Sequence, residues 1–150
     1  AMLLFVSSLL TLITVFVAKR IIFYGVPRPF KYFQGTDVLH LVDGVKLHSM
    51  HSFPSGHAIT AFAIFMILVL IVQNKYLKTL FVMTAILAGF SRVYLSQHFI
   101  IDVFFGAIIG ICIAVFSCVL IDRFGVCKRP WTEMNLHQIC VNKKWTIGLN

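Results

Sequence analysis

Residues 91–102 read SRVYLSQHFIID, a polar string that lies between two long apolar runs. Arg92, His98 and Asp102 cost free energy at the edge of lipid-length segments unless they pair or face a wet cavity. His98 and Asp102 are four residues apart, so on a helix they share one face, where the carboxylate can hold one imidazole nitrogen. The other nitrogen then points outward, which prepares a nucleophilic or basic histidine. The string therefore predicts a site at one edge of a bundle of membrane helices.

The composition around this string is that of one membrane unit. Of the 150 residues, 59% are apolar and only 12% are charged, which is too hydrophobic for an ordinary soluble domain. We predict an all-α membrane helical bundle with about four transmembrane helices. The four apolar runs are Met2–Ala18, Ala58–Val72, Leu77–Leu95 and Phe99–Ile121. Gly106 and Gly110 predict close helix packing, within this bundle rather than in a dimer.

Two further polar clusters interrupt the apolar pattern. Residues 54–57 read Pro-Ser-Gly-His, directly precede the second run and supply a second histidine, His57. Such residues also mark a helix start, where free backbone N–H groups and the helix dipole favour an anion such as phosphate. Arg28 follows the first run and precedes a proline, and its guanidinium suits bidentate phosphate contact. The clusters together indicate a phosphate site.

These three pieces resemble the motifs of the type 2 phosphatidic acid phosphatase family, whose superfamily includes the vanadium haloperoxidases. The family pattern is a Lys and an Arg-Pro, then Pro-Ser-Gly-His, then Ser-Arg-x5-His-x3-Asp, and the last two motifs match here without a gap. The family's lysine stands seven residues before the arginine, where this chain has Ile21. Lys19 and Arg20 lie nine and eight residues before Arg28, and either can take its place. Because family members usually have six helices, the resemblance implies that the first two are missing and the N-terminus is truncated.

The resemblance and the shared helix face predict metal-independent removal of a phosphate from a lipid. His98 is expected to attack phosphorus while Asp102 fixes its tautomer, and His57 is expected to protonate the leaving oxygen and then activate water. The expected phosphate ligands are Arg28, Arg92, Ser55, the backbone N–H of Gly56 and either Lys19 or Arg20, with Pro54 and Ser91 in support. No cofactor and no metal are expected. The expected partners are a lipid phosphate and the membrane, not nucleic acid, and the oligomeric state stays open.

Two alternatives remain open on the sequence. In a phosphotransferase of the same fold, a lipid or sugar hydroxyl would replace water, and in a non-catalytic membrane protein the fold would serve binding or assembly. The substrate also stays open among phosphatidic acid, phosphatidylglycerol phosphate, undecaprenyl pyrophosphate and lipid A, because each places a phosphate at the membrane interface. The four lipid-length runs argue against the soluble haloperoxidase branch.

The order of the spans brings all the motifs to one side of the membrane. The opposite side receives the larger free basic set, namely Lys75, Lys78, Arg123, Lys128, Arg129, Lys143 and Lys144. By the positive-inside rule that side is cytoplasmic, so the site is expected to face the periplasm or exterior of a bacterial inner membrane. We predict a phosphatase domain over residues 1–123 and a polar tail over residues 124–150.

The longest polar connection predicts a small extracytoplasmic hairpin or ordered lid, with the hairpin over residues 38–48, because Asp43-Gly44 favours a tight turn. His40 and His48 are expected to face solvent on this loop, and His51 is the better candidate for substrate contact. The aromatic residues after Pro29 are expected to form an interfacial belt. They are Phe30, Tyr32 and Phe33.

Overall fold

The structure is a computed structural model that describes residues 2–36, 39, 44 and 48–124. Its elements are α1 (Met2–Val17), a π-helix (Ala18–Ile22) that continues α1, α2 (Pro29–Tyr32), α3 (Gly56–Ile71), α4 (Lys75–Tyr94) and α5 (Ile100–Arg123). The predicted all-α helical bundle is therefore confirmed. The predicted hairpin falls largely on residues outside those described, and the tail from residue 125 onward lies outside them entirely.

Three of the described helices are long and apolar enough to cross a membrane, and these are Met2–Ile22, Lys75–Tyr94 and Ile100–Arg123. The remaining predicted span, α3, has 16 residues, just short of the roughly 17 that a spanning helix needs. Its start is set by Ser55, whose hydroxyl oxygen accepts a hydrogen bond from the Ala58 N–H at 3.4 Å. Its end is set by Val72, which has an extended backbone. The sequence prediction of about four spans thus becomes three full-length helices and one shorter apolar helix.

The short helix α3 is the centre of the bundle and packs against α1, α4 and α5. Four of its apolar side chains have no exposed surface, and these are Ala58, Ile59, Ala63 and Ile67. Two of the four are alanines, which let the neighbouring helices approach α3 closely. Since α3 begins at the Pro-Ser-Gly-His motif, this central position also places the motif among the other helices.

Gly106 and Gly110 set the distance between α3 and α5. A Cβ atom at Gly106 would lie 2.8 Å from the Ser55 carbonyl oxygen, and one at Gly110 would lie 2.5 Å from the Ile59 carbonyl oxygen. No side chain fits at these separations, so only glycine permits this approach. The predicted packing within the bundle is confirmed, and its consequence is that the start of α3 lies against the first turns of α5.

The outward faces of α1, α4 and α5 carry large exposed apolar side chains. Examples are Phe5, Phe16, Leu87, Phe90 and Ile101. A continuous apolar exterior of this kind suits hydrocarbon surroundings rather than water. The polar groups are concentrated instead where α1 ends, α3 begins, α4 ends and α5 begins.

Candidate active site

His98 and Asp102 form a buried pair at the start of α5. The Nδ1 atom of His98 lies 3.4 Å from Oδ2 of Asp102, and the two residues are only 1% and 2% exposed. The pair does not share a helix face as predicted, because α5 begins at Ile100 and His98 lies in the connection before it. The contact instead arises at the helix cap, where Asp102 accepts a hydrogen bond from the Phe99 N–H at 3.0 Å.

The second ring nitrogen of His98 is not used by the contact with Asp102. Its Nε2 atom is buried and has no hydrogen-bond partner among the described residues. When Nδ1 carries the proton toward Asp102, Nε2 carries a lone pair. The arrangement therefore places the carboxylate on one side of the ring and an unpartnered nitrogen on the other.

Ser52 is a member of the site that the sequence analysis missed. This fully buried residue donates a hydrogen bond from its hydroxyl group to Oδ2 of Asp102. A second hydrogen bond joins the segment before α3 to Asp102, because the Ser55 N–H donates to the Asp102 carbonyl oxygen at 3.0 Å. Oδ2 thus faces three donors, and one of them comes from 50 residues earlier in the chain. A serine in a polar loop carries no signal of this role in a single sequence.

Arg28 and Lys19 are held by the segment that precedes α3. The Arg28 Nε atom donates to the Met50 carbonyl oxygen at 3.0 Å, and Nη1 donates to the Gln97 carbonyl oxygen at 3.4 Å. Lys19 Nζ donates to the His51 carbonyl oxygen at 3.1 Å. These carbonyl contacts leave both cations without a carboxylate partner in any described salt bridge, so their charge remains available to an anion.

The segment itself is anchored by short antiparallel pairing with the connection that carries Arg28. The Arg28 N–H donates to the Ser49 carbonyl oxygen, and the Ser52 N–H donates to the Val26 carbonyl oxygen, each at 3.0 Å. His51 lies between them with a positive φ of 58°. Its carbonyl group binds Lys19, while its ring contacts that of Tyr24 at 5.2 Å between centroids. His51 therefore contributes to the site through its backbone. His48 is exposed, and His40 lies outside the described residues.

An open cavity of about 520 Å³ brings together five of the predicted site residues. Its lining residues are Thr11, Leu12, Val15, Lys19, Arg28, Gly56, His57, Thr60, Ala61, Ala88 and Arg92. Three cations and a histidine thus face one space. His98 and Asp102 do not line this cavity, but the backbone joins them to it, since the His98 N–H donates to the Arg92 carbonyl oxygen at 3.3 Å.

Four other predicted site residues do not line the cavity. They are Pro54, Ser55, Ser91 and Arg20. Pro54 and Ser55 are buried. The Ser91 hydroxyl donates to the Ala88 carbonyl oxygen at 2.8 Å within α4. Arg20 is exposed and does not line the cavity, whereas Lys19 does. Of the two candidates for the motif lysine, the structure therefore brings only Lys19 to the other motif residues.

The π-helix gives a physical reason for the shifted lysine. The segment from Lys19 to Arg28 is two residues longer than the family spacing, and the π-helix over Ala18–Ile22 lies in it. A π turn takes up more residues than an α turn and is frequent at functional sites. The extra length is thereby partly absorbed while Lys19 still faces Arg28.

Burial lowers the pKa of two site residues that lie in the connections between helices, His98 and Arg28. It lowers the pKa of His98 below the ordinary histidine value, and the positive charges of Arg28 and Lys19 act in the same direction, whereas the contact with Asp102 raises it. The net result is a neutral imidazole at neutral pH. Burial also lowers the pKa of Arg28, but a guanidinium remains charged at neutral pH. The site thus combines a neutral imidazole with fixed positive charge.

Metal ligands are not clustered in the part of the chain that the structure describes. There, no group of three or more His, Cys, Asp or Glu side chains is placed to hold a metal ion. The positive charge of the described site comes instead from the lysine and the two arginines of the cavity.

Comparison with known proteins agrees with the motifs. Residues 1–125 match the family model of the PAP2 superfamily. The chain is 29% identical over 123 residues to the undecaprenyl-diphosphatase BcrC of Bacillus subtilis (strain 168), a match that covers 80% of this chain and 57% of that protein. It is also similar to the crystal structure of Aquifex aeolicus LpxE, with a TM-score of 0.65 and 30% identity over 77% of this chain and 64% of that one.

The chain spans less than two thirds of the length of these two relatives. Together with the three long apolar helices, the similarities identify an integral membrane protein. The predicted family resemblance is confirmed, since the family model matches most of the chain. The chain belongs to the PAP2 superfamily.

Proposed function

We propose that this chain carries the active site of an integral-membrane phosphatase, which hydrolyses a lipid phosphate or pyrophosphate through a phosphohistidine intermediate without a metal ion. The observation that carries the proposal is the unpartnered Nε2 of His98, a residue that is oriented by Asp102 and bonded through its backbone to Arg92, which lines a cavity with two further cations and a second histidine. A purely structural histidine pair would not require these cations around it, because the desolvation of uncompensated charges is costly.

In the first step, Nε2 of His98 attacks phosphorus and the bond from phosphorus to the leaving oxygen breaks. His57, at the exposed start of α3 on the cavity wall, gives its proton to that oxygen. Asp102 stabilises the positive charge that develops on the attacking ring. Lys19, Arg28 and Arg92 bind the phosphoryl oxygens, where negative charge is concentrated in the transition state.

In the second step, His57 takes a proton from water, and the resulting hydroxide attacks the phosphohistidine. The bond from phosphorus to Nε2 breaks, inorganic phosphate leaves, and His98 returns to its neutral form. Gly56 lies at the cavity edge in the first turn of α3, so its N–H and the helix dipole are suited to bind the same oxygens. Ser55 supports this turn as its cap.

The substrate class follows from the position of the site. Lys19 and Arg92 lie in the last turns of two helices with apolar outer faces, a depth suited to a phosphate at the membrane interface. The similarity to an undecaprenyl-diphosphatase favours the diphosphate of a polyprenol as the first substrate to test. We place the active-site domain at residues 1–123 and the tail at residues 124–150.

The experiment is phosphate release by purified wild type in detergent from undecaprenyl pyrophosphate, phosphatidic acid, phosphatidylglycerol phosphate and lipid A, with and without excess EDTA. We expect release that survives EDTA and is abolished in His98→Ala. His57→Ala should also lower phosphate release strongly, because both the protonation of the leaving oxygen and the activation of water depend on this side chain. Exposed His48 provides the matched control, so His48→Ala should retain wild-type activity.

Activity that persists in His98→Ala would reject the phosphohistidine mechanism, and activity lost in EDTA and restored by a divalent metal would reject metal independence. Transfer of phosphate to an added alcohol in place of water would identify a phosphotransferase. A folded protein without either activity would favour the non-catalytic alternative.

The orientation proposal places the site on the periplasmic or exterior face of a bacterial inner membrane. It rests on the excess of basic residues on the opposite side. A cysteine introduced at exposed Gln34 should react with a membrane-impermeant maleimide in intact cells, with the wild-type cysteines as background. Labelling of Gln34→Cys only after lysis would place the site in the cytoplasm.

A further inference from the structure

Below its charged residues, the cavity has an apolar half to which the reaction assigns no role. Each of three helices contributes one site residue and, four positions along the chain, one apolar residue. The pairs are Val15 and Lys19 at the end of the first helix, His57 and Ala61 on α3, and Ala88 and Arg92 on α4. Residues four apart lie above one another on the same helix face, so the apolar members form a second ring.

The direction of the chain places this ring deeper in the membrane than the charged one. The first helix and α4 both end at the site, and α3 begins there. Val15 and Ala88 therefore precede the site by four residues, and Ala61 follows it by four, a rise of about 6 Å along each helix. Thr11 and Leu12 lie a further turn along α1, which extends the apolar half to about 12 Å below Lys19.

The lining of this half is suited to hydrocarbon. Val15, Ala61, Ala88 and Leu12 have alkyl side chains. The hydroxyl group of Thr60 donates to the Gly56 carbonyl oxygen of its own helix at 2.9 Å, so it is already satisfied. The two alanines leave open space where larger residues would close it. A cavity of about 520 Å³ is in the range of small-molecule sites and has room for more than a phosphate group.

We propose that this apolar half binds the first part of the hydrocarbon chain attached to the substrate phosphate, and that Ala61 and Ala88 determine whether the chain fits. The occupant is the lipid's own alkyl or prenyl chain, an identification that rests on the proposed function. Charge complementarity sets its direction, because the cations hold the phosphate at one end and the apolar half leads away from them between α1, α3 and α4.

The test compares two non-hydrolysable ligands with the same head group, methylphosphonate and octylphosphonate, by calorimetric titration of the purified chain in detergent. Ala88→Leu and Ala61→Leu each fill the apolar half from a different helix. If one variant fails to fold, the other still measures the effect of filling the apolar half on ligand affinity. Ala107→Leu on α5 makes the same change at a partly exposed position outside the cavity lining. Micelles take up octylphosphonate equally in all four samples, so differences between variants report the protein.

We expect wild type to bind octylphosphonate more tightly than methylphosphonate. Each cavity variant should lose about tenfold in octylphosphonate affinity, because added methylene groups overfill the space, while methylphosphonate affinity stays within about twofold and Ala107→Leu changes neither. Equal losses for both ligands, unchanged octylphosphonate binding in the cavity variants, or no preference for the longer ligand in wild type would each overturn the proposal. Binding is measured without turnover, so absent phosphate release would reject the proposed function while this test still stands.

Discussion

Ser52→Ala tests whether the carboxylate that orients His98 depends on a residue outside the family motifs. Ser52 is fully buried and donates its hydroxyl group to Oδ2 of Asp102. Alanine at this position removes the donor and leaves the carboxylate with two, the Phe99 N–H at 3.0 Å and His98 Nδ1 at 3.4 Å. The longer contact is the weaker one, so the histidine ring loses its orientation first.

The magnitude follows from the charge on the acceptor. A hydrogen bond to a charged group contributes about 1.5–3 kcal/mol. If that loss falls on the orientation of His98, kcat decreases by about ten- to a hundredfold. Ser52 does not line the cavity, so we expect KM to remain near its wild-type value. A residue that merely stabilised the fold would lower the unfolding temperature without this selective loss of kcat.

The assay is steady-state hydrolysis of the best lipid substrate by wild type, Ser52→Ala and Ser49→Ala in one detergent, together with thermal unfolding. Ser49 is the matched control, because it lies in the same segment with an exposed side chain. A folded Ser52→Ala protein with kcat within about twofold of wild type would refute the reasoning. An equal loss in Ser49→Ala would attribute the effect to the segment rather than to the hydroxyl group.

Three further changes probe the charge and packing of the site. Because burial lowers the pKa of His98, its imidazole should stay neutral as pH falls through the ordinary histidine range. NMR titration, with the resonance assigned by its loss in His98→Ala, should give a midpoint below about 6.5. A midpoint at or above that value contradicts the prediction. Lys19→Met should lower kcat/KM by about tenfold or more, because a charge-assisted phosphate contact is lost. The control Arg20→Met, at an exposed position, should change kcat/KM by less than about twofold. A larger loss in Arg20→Met than in Lys19→Met would show that Arg20 takes the place of the family's lysine. Gly110→Ala should destabilise the bundle by about 1–3 kcal/mol, since its Cβ would lie 2.5 Å from the Ile59 carbonyl oxygen; an unchanged unfolding temperature in detergent would show that the helices separate without cost.

Local sequence determined the helices and the chemical types at the site. In hydrocarbon every backbone polar group has to be satisfied within its segment, so long apolar runs predict helices directly, and three of the four have the expected length. The short spacing from His98 to Asp102 likewise limits how far apart these residues can lie. Helix direction then predicts that the motifs meet on one side of the bundle.

Packing decided the details that spacing leaves open. Asp102 receives the Ser52 hydroxyl group from 50 residues away, and the two residues meet because glycines let α3 and α5 approach closely. The choice of Lys19 over Arg20 for the cavity depends on how the π-helix turns, which a count of residues does not reveal. Sequence thus determined which elements form and which residue types they carry, because those depend on neighbours along the chain. Tertiary structure decided which side chains share one cavity and one carboxylate oxygen, because that depends on contacts between distant segments.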